Sequence, residues 1–178
     1  MLLNLKELFK ERGTTDSAEY LARAITQRGE VFFTSDGRFS THDLLEALLV
    51  PYSPAKVYLS TYSITEFPAR ILKTLQDEGK IEELHMLIDR EFPRRYPKVD
   101  QFLQELCTSI GYTAVHAKIL VIETKREIVL VLGSANWTVN PRLEAGVITR
   151  NKDVVIEFKD KILTLIHEAN RGTIKAGV

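Results

Sequence analysis

The 178 residues contain a single cysteine, Cys107, and that scarcity excludes an internal disulfide framework and every multi-cysteine metal site. A reducing, cytoplasmic setting fits best. An excess of charge of either sign is also missing, since 24 basic residues face 24 acidic ones. No general affinity for polyanions follows, so nucleic-acid binding has to come from a local patch. Nor is there an apolar run long enough for a membrane span. The N-terminal "MLLNLKELFKERG" is apolar at Leu2, Leu5, Leu8 and Phe9 but interrupted by Lys6, Glu7, Lys10 and Glu11. That is the pattern of an amphipathic helix, not of a signal peptide or a membrane anchor. Walker-type GxxxxGK loops, GxSxG elbows and His-Glu-x-x-His zinc motifs are absent, as are internal repeats, low-complexity segments and linkers.

What is present is an ordinary globular composition, 44% hydrophobic and 27% charged, in a chain long enough for one core. The expectation is a single domain over 1–178, with N-terminal helices at about 1–28. "TTDSAEYLARAITQRG" reads as the second helix, stopped by Gly29, and "EVFFT" as a strand. Ser40 with Asp43 resembles a capping box opening the helix "THDLLEALLV", which Pro51 stops. "KVYLSTY" is a strand, followed by a helix capped by Thr65, tolerant of Pro68 in its first turn and ended by Gly79. "ELHMLID" is a third strand and "REFPRRYPK" a loop. A helix carrying Val99, Phe102, Leu103, Leu106 and Ile110 on one face then runs to Gly111. Two strands around the charged tip "ETKRE", the strand "EAGVITR" and a helix from about Val155 to Asn170 complete the chain. Strands alternating with helices predict an α/β fold with a mixed β-sheet flanked by helices on both faces.

The stretch "HAKILVIETKREIVLVLGSANWT" carries the chemistry. His116 and Lys118 are two apart and share a face, and so do Ser134 and Asn136 on the return strand. With the five-residue tip "ETKRE" and Ile122 opposite Ile128, Ser134 comes directly across from His116. A tight Lys125-Arg126 turn shifts the pairing by one and sends Ser134 to the other face. A titratable nitrogen among several donors suits an anionic group, a phosphate in particular.

These residues resemble the signature of the phospholipase D superfamily: a His, any residue, a Lys, four residues and an Asp, then Gly-Ser-x-Asn. This chain reads His116-Ala117-Lys118, Glu123 in place of the Asp, then Gly133-Ser134-Ala135-Asn136, with Asn140 and Glu144 continuing the likeness over about Val115 to Ile148. The resemblance implies a covalent mechanism without metal or other cofactor. His116 attacks phosphorus, Lys118, Ser134 and Asn136 hold the phosphate oxygens, and Glu144 orients the imidazole. One motif copy supplies one histidine, which implies a homodimer with a shared site. Glu123, at the hairpin tip, is expected in a turn or structural role.

Each residue also has a plain structural reading: Ser134 and Asn136 as turn residues, Lys118 as a strand-end charge, Glu144 as a solvated edge carboxylate. Trp137 is either packing or a ring that stacks on a base. His85 reads as a hydrogen-bonded strand residue, His42 and His167 have no chemical context, and Cys107 reads as packing. The cations Arg90, Arg94, Arg95 and Lys98 follow a strand end, where α/β sheets place binding sites, and are either phosphate contacts or a solvated loop. The expected function is a metal-independent phosphodiesterase, a nuclease acting on nucleic acid and not on membranes. The alternatives are a phospholipid-hydrolysing enzyme and a non-catalytic nucleic-acid-binding module.

Overall fold

A computed structural model describes residues 17–139 and 142–172. The amphipathic segment at 1–13, the start of the second helix and Asn140 lie outside these residues. The first described helix, α1 (Ala18–Arg28), is capped by the Ser17 side chain, which accepts from the Tyr20 N–H, and ends at Gly29. After β1 (Glu30–Thr34), the Ser40 and Asp43 side chains form the expected capping box at the start of α2 (Thr41–Leu49). Strand β2 (Ala55–Thr61) leads to α3 (Glu66–Asp77). Thr65 holds the cap position there but makes no side-chain capping bond.

Beyond β3 (Ile81–Asp89) the structure departs from the sequence reading twice. The basic stretch is not a loop throughout, because Phe92–Arg95 forms one helical turn, α4, immediately before α5 (Pro97–Leu106). Helix α5 also stops at Leu106, short of Gly111, and Ser109–Thr113 is a strand, β4, parallel to β3. The Thr108 hydroxyl accepts from the Leu84 N–H at 3.1 Å, and the Thr108 N–H donates to the Leu84 carbonyl at 2.7 Å. Those bonds draw the chain out of the helix and along β3. Gly111 is required on this strand by the final helix, α6 (Lys152–Asn170), since a Cβ there would lie 2.7 Å from the Ile166 Cα.

Strands β5 (Lys118–Glu123), β6 (Ile128–Gly133) and β7 (Ala145–Thr149) complete one seven-stranded sheet of order β1-β7-β6-β5-β2-β3-β4. The β2–β3 and β3–β4 pairs are parallel and the others antiparallel. One face packs Val57, Leu59, Leu120 and Val131 against Leu21, Leu45, Leu72 and Leu103 of the helices α1, α2, α3 and α5. The opposite face packs Tyr58, Leu87, Val121 and Leu130 against Val155, Ile162 and Ile166 of α6. Central strands buried on both faces read as apolar runs, as Ile119–Ile122 of β5 and Ile128–Leu132 of β6 do.

The hairpin register corrects the expected one. Lys118 pairs with Gly133 and Glu123 with Ile128, so Ser134 is not opposite His116. The Thr124 N–H donates to the Glu127 carbonyl at 2.8 Å across a tight Lys125-Arg126 turn. Polarity alone favours the longer tip, but the Thr124 hydroxyl, accepting from the N–H groups of Arg126 and Glu127, holds the shorter one closed.

Candidate active site

The pairings bring the start of β5, the end of β6, the start of β7, the end of β2 and the end of β1 to one rim of the sheet. This is also the carboxyl end of the parallel strands β2 and β3, where such sheets bind ligands. His116 lies on the segment just before β5 and is exposed. The Lys118 ammonium is 3.0 and 3.2 Å from the two ring nitrogens and donates to the His116 carbonyl at 2.6 Å. It is positioned to donate to whichever ring nitrogen is unprotonated.

Ser134 reaches this rim by a different route from the expected cross-strand pairing. The chain leaves β6 after Gly133, and the Ser134 N–H donates to the Ala145 carbonyl at 3.0 Å while its hydroxyl accepts from the Ala145 N–H at 3.0 Å. The hydroxyl donates to the Glu144 carboxylate. Lys118, Ser134 and Glu144 line a common crevice. Partial burial lowers the Lys118 pKa from its ordinary value, and the Glu144 carboxylate offsets part of that shift. Glu144, expected on the imidazole, is thus engaged with Ser134 and acts electrostatically on Lys118.

Asn136 is half-buried, its carbonyl oxygen accepting from the Thr61 hydroxyl at 3.5 Å. Trp137, offered as a ring that stacks on substrate, is 1% exposed and has no free face for stacking. Its N–H donates to the Ser63 carbonyl and its carbonyl accepts from the Thr65 N–H, so it is a structural wall between β6 and the start of α3.

Among the four cations of the basic stretch, Arg95 is the one tied to the rim. Its guanidinium lies 4.4 Å from the centroid of the Tyr62 ring and donates to Asp89 at 2.9 Å, and Tyr62 packs against the His116 ring at 5.3 Å. Arg94 turns to Glu91 at 3.0 Å, and Arg90 and Lys98 are exposed without a side-chain partner among the described residues. Tyr62 is a site residue that the sequence reading missed. Its only signal is its place one residue past the end of β2.

The remaining histidines are occupied elsewhere. His42 is buried beside the Ser40 hydroxyl and the Phe67 ring, and burial lowers its pKa. His85 stacks on Tyr58 on the α6 side of the sheet, between Ser109 and Glu83. His167 is exposed on α6. Glu123 sits at the far end of β5, accepting from the Tyr58 hydroxyl at 2.7 Å and Lys159 at 2.8 Å. It ties β5 to β2 and α6. Burial of the Cys107 thiol raises its pKa to about 12. Among the described residues no three His, Cys, Asp or Glu side chains gather as metal ligands, and no helix is long and apolar enough to cross a membrane.

No family model matches the sequence, and no curated protein matches it. Solved structures do. NucT from Helicobacter pylori is similar over 78% of this chain and 95% of its own, with a TM-score of 0.60 and 20% identity. The polyphosphate kinase from Porphyromonas gingivalis is similar over 99% of this chain and 30% of its own, with a TM-score of 0.60 and 17% identity. The phosphatidylserine synthase of Haemophilus influenzae Rd KW20 is similar over 79% of this chain and 39% of its own, with a TM-score of 0.54 and 12% identity. At such identities the likeness is one of fold.

Proposed function

We propose that this chain, whose fold is that of the phospholipase D superfamily, is a metal-independent phosphodiesterase that cleaves nucleic acid. The observation that carries the reading is the gathering of Lys118, Ser134 and Glu144 at one rim, with the His116 imidazole 3.0 Å from the Lys118 ammonium. A nucleophile beside a partly buried cation and a hydroxyl is what in-line attack on a phosphodiester needs. NucT, a nuclease similar over nearly all of its own length, supports the choice of nucleic acid.

In this reading one nitrogen of His116 attacks phosphorus. The bond from phosphorus to the leaving oxygen breaks, and a proton from a second imidazole goes to that oxygen. The second imidazole, now neutral, takes a proton from water as the water oxygen attacks phosphorus and the P–N bond breaks. Lys118, Ser134 and Asn136 hold the phosphate oxygens, and Arg95, paired with Asp89, supports the Tyr62 ring that packs on His116. Glu144 restrains Ser134 and Lys118 in place of orienting the imidazole. His42 and His85 are committed to packing, and by likeness to superfamily members with one motif copy the second imidazole is His116 of another copy across a two-fold axis. The chain then acts as a homodimer of single-domain protomers, in the cytoplasm.

A phospholipid substrate is the second reading. Val139 and Leu143, 66% and 70% exposed, lie in the sequence between Asn136 and Glu144, and exposed apolar side chains there suit a lipid. The assay that decides uses labelled single- and double-stranded DNA and RNA, and a short-chain phospholipid, in excess EDTA. The expected result is cleavage of nucleic acid by the intact protein and a loss of at least ~10³-fold in His116→Asn. Lipid hydrolysis alone supports the second reading. Nucleic-acid binding without cleavage, unchanged in His116→Asn, identifies a non-catalytic binding module.

A further inference from the structure

The chain that leaves β3 carries two unpaired cations and an exposed ring beside the rim that holds Lys118. Asp89 ends β3, and the Arg90 N–H donates to the carbonyl of Thr113, the last residue of β4, at 2.9 Å. Ile119 of β5 pairs with Ser60 of β2, and Thr61 of β2 with Ile88 of β3. At about 4.8 Å between neighbouring strands, Arg90 lies roughly 10 Å along the rim from Lys118, with Tyr62 of the β2 end between them. The acidic groups of this stretch are all taken. Asp89 accepts from Arg95, Glu91 from Arg94, and the buried Asp100 from Tyr112 and Gln104. Arg90 and Lys98 are exposed and have no such partner among the described residues, so their charges are not offset locally.

Tyr96 stands between these cations in the sequence, next to the Arg95 that rests on Tyr62. It is 40% exposed, a large ring left partly in water. Its backbone is nonetheless fixed from both sides, because its N–H donates to the Phe92 carbonyl of α4 and its own carbonyl accepts from the Asp100 N–H of α5, each at 2.9 Å. Prolines in the first turns of α4 and α5, Pro93 and Pro97, preset the chain at the same place. The fully buried Phe92 ring lies against Tyr96 at 5.3 Å between centroids, so the exposed part of the Tyr96 ring is the side away from Phe92. An aromatic held this way gives up little conformational freedom when something stacks on it.

We infer that Tyr96, Arg90 and Lys98 form a subsite for a single-stranded segment that flanks the cleaved phosphate, with a base on the Tyr96 ring and backbone phosphates on the two cations. The inference rests on the nuclease reading and names the form of its substrate. A base splayed from a single strand offers its face to an aromatic ring, whereas the bases of a duplex are already stacked on one another. Cations without carboxylate partners suit the phosphates next to such a base. A second copy of the chain fits this surface less well, since a two-fold contact here would set Arg90 and Lys98 against their own counterparts.

The test is fluorescence anisotropy of the full chain carrying His116→Asn, which leaves the probe uncleaved, with a short labelled DNA single strand and the same sequence as a duplex, in EDTA over a range of salt concentrations. Tyr96→Ala, Tyr96→Phe and the double variant Arg90→Ala/Lys98→Ala are made in that background, with thermal melts to establish that they fold and sedimentation to follow their mass. The expected result is that Tyr96→Ala weakens single-strand binding about tenfold, that Tyr96→Phe stays within about twofold of its parent, and that duplex binding moves by less than about twofold. The double variant should lower the slope of log affinity against log salt by about 1.4, the share of two phosphate contacts on a single strand. Single-strand affinity unchanged in Tyr96→Ala overturns the subsite, and so does an equal loss for single strand and duplex, which would make Tyr96 a support for the fold and not a stacking surface. A fall in protomer association in Tyr96→Ala assigns the surface to a second copy and also overturns it. Cleavage by the protein with native His116 is measured separately: if it cleaves nothing while Tyr96-dependent single-strand binding holds, the nuclease reading falls and the subsite stands.

Discussion

Lys118 is the residue on which the site's electrostatics turn. Its ammonium is held between the His116 ring, the His116 carbonyl and the field of Glu144. Partial burial lowers its pKa below the ordinary 10.5, with Glu144 pulling it part of the way back. A lysine shifted in this direction loses its charge at a lower pH than a free one, so phosphate binding weakens earlier on the alkaline side. The expected pH–rate profile has an alkaline limb below 10.5 that Lys118→Arg, which stays protonated, removes. Lys118→Ala should reduce kcat by about 10²–10³-fold, as measured under saturating substrate. An alkaline limb that survives Lys118→Arg would assign it to another group. That His116, Lys118 and Ser134 come to one rim was legible from residue types and spacing. The bonds between them were not. Glu144 pairs with Ser134 and not with the imidazole because the chain leaves the sheet after Gly133, and Trp137 is a wall because Ile64 runs alongside it.

The hairpin of β5 and β6 shows what happens to a pattern when two turns compete at the level of the element. Either tip separates the two apolar runs, and the choice falls to the Thr124 hydroxyl, which closes the tight turn. Alternation cannot detect that single side chain, so the register was open by one residue while the strands themselves were plain. Strand β4 was hidden for a related reason: Ile110 continues the helical spacing of α5, and only Thr108 pairing with Leu84 reveals the change of element. Glu123, where the superfamily pattern has Asp, is explained here too. It accepts from Tyr58 and Lys159 and joins β5 to β2 and to α6. Burial raises its pKa, but the bonds from Lys159 and Tyr58 and the Lys159 charge outweigh it, and the net shift is downward. A depressed folded pKa contributes stability that is present above the unfolded value of 4.5 and is lost as pH falls through the folded value. Glu123→Gln should therefore cost about 1–2 kcal/mol at neutral pH by thermal or denaturant unfolding. The gap to the wild type should narrow as the pH drops below 4.5. A gap constant across that range would mean that Glu123 contributes packing alone.

For the whole molecule the α/β architecture was legible, since alternating strands and helices with apolar central runs leave few topologies. What a single chain's sequence does not contain is a second copy. The proposed shared site makes a specific demand on assembly. In a dimer with one site built from both copies, mixing wild type with His116→Asn leaves active only the wild-type homodimers. An equal mixture, exchanged to equilibrium, should retain about a quarter of the all-wild-type activity, against about half if each protomer acts alone. Sedimentation of the same samples should show a species of twice the 20.3 kDa protomer mass.

The central claim is that His116 forms a covalent bond to phosphorus. It is tested most directly by quenching the protein during turnover of a nucleic-acid substrate in excess EDTA, with alkaline denaturant to preserve a phosphoramidate. Peptide mass mapping then locates any adduct. The expected result is an acid-labile adduct on His116 carrying the nucleic-acid fragment that stays on phosphorus, absent from His116→Asn. Cleavage that proceeds with His116 unmodified, or that stops when EDTA is added, would contradict it.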